Sequence, residues 1–272
     1  MGFPCGLWLA AWSRRSVVVV SAVMIFVWAP PSSDAAESAK LAVAFSPDRL
    51  GASTTILVRF AISAPDGEVP SPVTEFALRL PPGMGFATTT LGLAVCNTSV
   101  LEQIGPRACS PNAFMGFGDA QIEAGVGSTL VRERIDISTL MAPATDGHTA
   151  ISFYAAGLTP LLAGLVFPGL LLPQTGPGNR SYINLDMFIP PVAAWPGGPK
   201  AAITSLASSF GPNGLTYYRH LHGRTVPYRP SGPTVPVTCP RGGFALTGTF
   251  VFEDGTTVAP MARVPCPRRR VR

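Results

Sequence analysis

From Thr54 to Ser63 the chain reads TTILVRFAIS. Ile56, Val58, Phe60 and Ile62 occupy every second position, and Arg59 lies between them. The same period recurs three times. Phe76, Leu78 and Leu80 alternate with Glu75 and Arg79. Ile183, Leu185, Met187 and Ile189 alternate with Asn184 and Asp186. Phe244, Leu246, Phe250 and Phe252 alternate with Thr247 and Thr249. Successive side chains of a strand point to opposite faces, so this alternation marks half-buried strands of an antiparallel sheet. Pro81-Pro82-Gly83, Pro190-Pro191 and Pro196-Gly197-Gly198-Pro199 punctuate them. Many short strands with turn signals between them suggest a sandwich or barrel. The reading taken is an all-β, antiparallel β-sandwich. FALRLPPG at 76–83 and DMFIPPVA at 186–193 both end an alternating strand in a proline turn. Two related modules with a break near 142–148 are therefore an alternative organisation.

Helix signals are scarce. TSVLEQI, residues 98–104, is the best short candidate, with Thr98 as its cap and Gly105-Pro106 as its stop. The segment 155–173, AAGLTPLLAGLVFPGLLLP, has one polar residue, Thr159, and is long enough for a membrane span. Its glycines and prolines favour two buried strands turning near Pro168-Gly169. A second membrane crossing or a lipid-contacting loop is the sharper alternative.

Asp254-Gly255 is a two-residue hairpin signal. With that turn, Gly243 faces Cys266, and Cys239 lies just before Gly243. A Cys239–Cys266 bridge would then clamp the open end of the hairpin. Pro260 and Pro265 remove donors from the second strand, which should therefore be an edge. The remaining cysteines outside the N-terminal segment are Cys96 and Cys109, flanking the short helix. Four cysteines allow three pairings, and the favoured one is sequential, Cys96–Cys109 and Cys239–Cys266. No Cys-x-x-Cys spacing points to zinc, and no neighbour would activate a catalytic thiol.

The N-terminus sets the compartment. Arg14 and Arg15 precede an apolar run from Val17 to Ala29, followed by small residues at Ser33 and Ala35. Residues 1–35 read as a secretory signal peptide, with an uncleaved anchor as the alternative. Ser13-Arg14-Arg15 also hints at a twin-arginine signal. Localisation is then extracellular or at the cell surface, which suits an even number of cysteines. The folded part would be 36–267, with 268–272 as a basic tail.

Composition narrows the class. Hydrophobic residues make up 47% and charged residues only 13%, which excludes a disordered polyelectrolyte or a coiled coil. Removing Arg14, Arg15 and Asp34 leaves 18 basic residues against 14 acidic ones. Arg268, Arg269, Arg270 and Arg272 supply that whole excess, so the body is neutral. A nucleic-acid binder would show a basic face in its body. The tail offers at most a weak contact with an anionic envelope polymer or lipid surface.

Candidate chemistry is sparse. The chain lacks Gly-x-Ser-x-Gly, His-Glu-x-x-His and the phosphate- and dinucleotide-binding glycine motifs, so no catalytic residue, metal or cofactor is assigned. Gly116-Phe117-Gly118-Asp119 reads as a strand-entry turn. If the segment 217–224 is extended, Tyr218, His220, His222 and Arg224 share one face. Such a face could hold a sugar or an anionic group, and two histidines at i, i+2 could begin a metal site. The carboxylate pairs are Asp119 with Glu123, and Glu253 with Asp254. The glycosylation-like triplets at Asn97 and Asn179 read as chance matches.

Cys96…Cys109-Ser110-Pro111…Gly116-Phe117-Gly118, together with Cys239-Pro240-Arg241-Gly242-Gly243-Phe244…Phe250-Val251-Phe252-Glu253-Asp254-Gly255…Pro265-Cys266-Pro267, resembles uncharacterised secreted proteins of GC-rich actinobacteria. The resemblance implies an exported β-rich scaffold and transfers no site residue. The leading functional expectation is a non-enzymatic binding or structural protein of the envelope or exterior. The second is a carrier of lipid or a small apolar ligand, with a cavity lined by Leu161, Leu162, Leu165, Val166 and Leu170. The third is a metal-assisted hydrolase at His220 and His222.

Overall fold

The computed structural model describes residues 37–86, 91–159, 164–176, 178–194 and 196–267. The expected signal segment, Cys5, Leu161, Leu162 and the basic tail lie outside them. The described strands are β1 (Ser38–Ser46), β2 (Thr55–Ser63), β3 (Val73–Arg79), β4 (Gly85–Phe86), β5 (Phe114–Val126), β6 (Thr129–Met141), β7 (Thr149–Thr159) and β8 (Gly164–Gly176). They continue with β9 (Arg180–Phe188), β10 (Ala202–Phe210), β11 (Tyr217–Leu221), β12 (Arg224–Tyr228), β13 (Pro233–Thr234), β14 (Phe244–Phe252), β15 (Thr257–Val258) and β16 (Met261–Val264). The single α-helix among the described residues is α1 (Thr98–Ile104).

Twelve strands form one antiparallel sheet in the order β1-β2-β10-β5-β6-β7-β8-β9-β3-β14-β15, with β16 also on β14. The sheet curls until β1 lies beside β16, giving a nearly closed barrel. This departs from the expected sandwich. The alternating faces are as anticipated, but they turn toward one shared interior because the strands form a continuous path. Ile56, Val58, Phe60 and Ile62, Phe76 and Leu78, and Phe244, Leu246, Phe250 and Phe252 are all buried in a single core cluster. Arg59 and Arg79 stay outside and exposed.

The halves of the chain interleave. β10 lies between β2 and β5, and β3 lies between β9 and β14. The suspected break at 142–148 is a hairpin between the paired strands β6 and β7. Phe45 of β1 approaches Phe244 of β14 across the seam, with ring centroids 5.8 Å apart. At the other end of the seam, the Glu37 carboxylate accepts hydrogen bonds from the Ser71 amide at 2.6 Å and the Thr256 hydroxyl at 2.8 Å.

Local corrections have simple causes. Phe250 faces Val258 and Phe244 faces Val264, so the last hairpin is one residue out from a two-residue turn. The Gly255 amide donates to the Phe252 carbonyl and the Phe252 amide to the Thr256 carbonyl. Gly255 has φ +87°, the left-handed residue that closes a three-residue loop with a bulge. The helix cap is Asn97, whose side chain accepts from the Ser99 amide at 3.0 Å, rather than Thr98.

The apolar segment 155–173 contributes the end of β7 and most of β8. Pro168-Gly169 is mid-strand, with Pro168 opposite Ser152 and Gly169 opposite Ile151. The ladder accepts these prolines because each sits where β8 has one paired neighbour. β9 pairing ends at Gly169, and β7 pairing ends at Leu171, before Pro173.

Candidate functional site in the barrel lumen

A barrel of about eight strands is just wide enough for side chains to fill its interior or for one small ligand. This sheet has more strands, so its lumen has room to spare. On one side the surplus is filled by aromatic rings. Phe76 and Phe250 have centroids 4.6 Å apart, and Phe60 lies 4.9 Å from Phe250 and 5.3 Å from Phe76. On the other side, β5 and β6 present smaller residues, among them Ala124, Ile135 and Ile137. The difference in side-chain volume leaves a cavity of about 570 Å³.

Its walls are almost wholly apolar. Val58, Phe60, Phe76, Ile122, Phe153 and Phe167 all line it, and the last two rings stack at 5.2 Å. The cavity reaches the barrel end bounded by Pro72, Val126, Val131 and the segment 189–194 after β9. The opposite end is packed with Leu80, Met84, Leu91, Leu215, Tyr217 and Val235, all buried. There the Tyr217 hydroxyl donates to the Phe114 carbonyl at 2.7 Å and accepts from the Gly92 amide. Burial pushes its pKa up to about 12, against the lowering effect of the Gly92 amide.

One charged group is sealed into the lumen. Glu133 lies on the inward face of β6, in register with Val131, Ile135 and Ile137, and is 6% exposed. Its Oε1 is buried and has no hydrogen-bond partner. Glu123, which also borders the cavity, is paired with Arg132 at 2.8 Å. Among the described residues, no lysine, arginine or histidine lines the cavity.

Glu133 was not singled out by the sequence reading. VRERIDIS carries the period-two signal, but the charged Glu133 at an inward position makes both faces look polar. The alternation of Val131, Ile135 and Ile137 could have revealed it.

The anticipated cavity wall is met in part. Leu165 faces the lumen. Val166 points outward and packs with Leu101 of α1, Cys96 and Leu140. Leu170 is on that outward face too, since strand side chains alternate about the inward Phe167 and Leu171.

The other candidate residues lie elsewhere. Leu221 pairs with Arg224, so His222-Gly223 is the turn of a two-residue hairpin. His222 and Gly223 have φ +48° and +75°, as a type I′ turn requires. His222 therefore leaves the extended face expected to hold Tyr218, His220 and Arg224. His220 Nδ1 is 3.2 Å from the Thr225 hydroxyl, and Arg219 lies over the Tyr228 ring at 5.0 Å. Among the described residues, no three His, Cys, Asp or Glu side chains converge as a metal site. Asp119 and Glu123 share the outer face of β5, facing Arg134 at 3.8 Å and Arg132. Glu253 pairs with Lys200, and Asp254 accepts from the Thr256 amide at 2.8 Å.

Both sequential disulfides form, Cys96–Cys109 and Cys239–Cys266. They suggest an oxidising environment. No helix among the described residues is long and apolar enough to cross a membrane.

No family model, no curated protein and no solved structure matches the chain.

Proposed function

We propose that the chain is an exported, non-enzymatic binding protein that carries a lipid or another small apolar molecule in its barrel lumen. The observation that supports this reading is the cavity of about 570 Å³ with its apolar walls. Protein interiors pack like organic crystals and hold few voids larger than a water molecule. An empty apolar void forfeits the dispersion contacts of the atoms around it. The volume lies in the range of small-molecule sites, about 300–1,000 Å³, and so does the balance of many apolar groups with few polar ones. A purely structural barrel would gain stability by filling that space. Export is favoured by the signal-like pattern of residues 1–35 and by the two disulfides.

Native mass spectrometry of the protein from its own host tests this reading. A ligand-bound mass should fall to the bare mass on denaturation, and an organic extract should contain the lost species. A bare native mass, together with failure to take up dodecanol, overturns it.

A further inference from the structure

Resting on that reading, we propose that the lumen ligand is a cationic amphiphile, an apolar chain or ring system bearing one ammonium group that Glu133 receives. Three observations converge. Glu133 is 6% exposed and has an unpartnered Oε1 in the cavity wall. The cavity bears no basic side chain among its described lining residues, and the neighbouring Glu123 carboxylate is turned to the outer face of β5, where Arg132 holds it. The remaining walls are predominantly aliphatic and aromatic.

A buried carboxylate oxygen without a partner is costly, and a hydrogen-bonded cation offsets that cost best. An ammonium group supplies both the charge and the N–H donors that the lumen lacks. A hydroxyl supplies one donor and no charge. A fatty-acid carboxylate would meet Glu133 as a like charge with no arginine or lysine to receive it, so it is disfavoured.

Depth orients the ligand. Val131 lies toward the open end and Thr139 toward the packed end of the same strand, and both line the cavity. Glu133 is one inward position below Val131, six residues from Thr139. At about 3.4 Å per residue, roughly 20 Å of wall extends beyond it. The ammonium head would sit near the open end, with its apolar body pointing toward Ile135, Ile137 and the Phe60–Phe76 pair.

The test titrates the full chain at pH 7 with dodecylamine, dodecanol and dodecanoic acid, each below its self-association limit, by displacement of an apolar fluorophore. Dodecylamine should bind about tenfold or more tighter than dodecanol, and dodecanoic acid more weakly than dodecanol. In Glu133→Gln the amine advantage over dodecanol should vanish, while uptake of the apolar fluorophore itself shows that the lumen is intact. Equal binding of amine and alcohol by the wild type overturns the amine assignment and leaves the carrier reading standing. That comparison decides the point even where the variant does not fold. A preference that survives in a folded Glu133→Gln protein overturns the role of Glu133. Binding of none of the three overturns both proposals.

Discussion

Glu133 sits directly opposite Ile122 in the β5–β6 ladder, and both side chains turn into the lumen. An aliphatic residue thus faces the carboxylate where a cation would be expected in an ion pair. Replacing an unpaired buried carboxylate with an apolar group of similar size removes a desolvation cost. Glu133→Leu should stabilise the empty protein by about 1–3 kcal/mol, read as a higher urea midpoint at pH 7 with an unchanged slope. A lower midpoint would mean that the carboxylate has a structural partner.

The cavity can be filled from its wall. Ala155 is buried on the inward face of β7 and lines the void. Ala155→Phe should occupy ligand space, reducing dodecanol uptake by about tenfold, with an unfolding midpoint within about 1 kcal/mol of wild type. Uptake equal to wild type in a folded variant would place the ligand elsewhere.

At the packed end, Tyr217 gives a pH signature. Its pKa is raised to about 12 in the folded protein, whereas an unfolded tyrosine ionises near 10. The folded state therefore holds the proton more tightly. The contribution is complete below pH 10 and is lost as pH rises from 10 to 12, at about 1.4 kcal/mol per pH unit. Denaturation midpoints at pH 9 and 11 should differ accordingly, and Tyr217→Phe should flatten that part of the difference. The variant should also lose about 1–3 kcal/mol at neutral pH, because it strands the Gly92 amide and the Phe114 carbonyl.

Cys239–Cys266 spans 27 residues and joins the ends of the hairpin opposite its Gly255 turn. Replacing both cysteines with serine should cost about 3.5 kcal/mol by the loop-entropy relation. Guanidinium unfolding of the oxidised protein and the double variant checks this. Equal midpoints would show that the β14–β16 ladder needs no clamp.

The sites differ in how they announce themselves in sequence. The disulfides were legible because cysteine spacing and hairpin register are local. The lumen charge was not, because Glu133 violates the very alternation that identifies a half-buried strand. Pro168-Gly169 misled in the other direction. A proline–glycine pair usually ends a strand, yet here Pro168 is paired with β7 alone, and Gly169 begins the stretch paired on both sides. His222 reads as part of a strand face because His-Gly is a weaker turn signal than Asn-Gly or Asp-Gly.

The sequence by itself determined the β class, the inward faces of the strands in β2, β3, β9 and β14 and the short helix, and it favoured the cysteine pairing that forms. Each follows from neighbours in the chain, through a two-residue period, a cap and stop, or a hairpin register. Tertiary structure decided that these faces enclose a barrel and that a void remains beside the aromatic cluster. It also decided that Glu133 is shut inside. Closure depends on β1 reaching β16 across the whole chain. The void depends on how side-chain volumes from distant strands sum, and no local period encodes that sum.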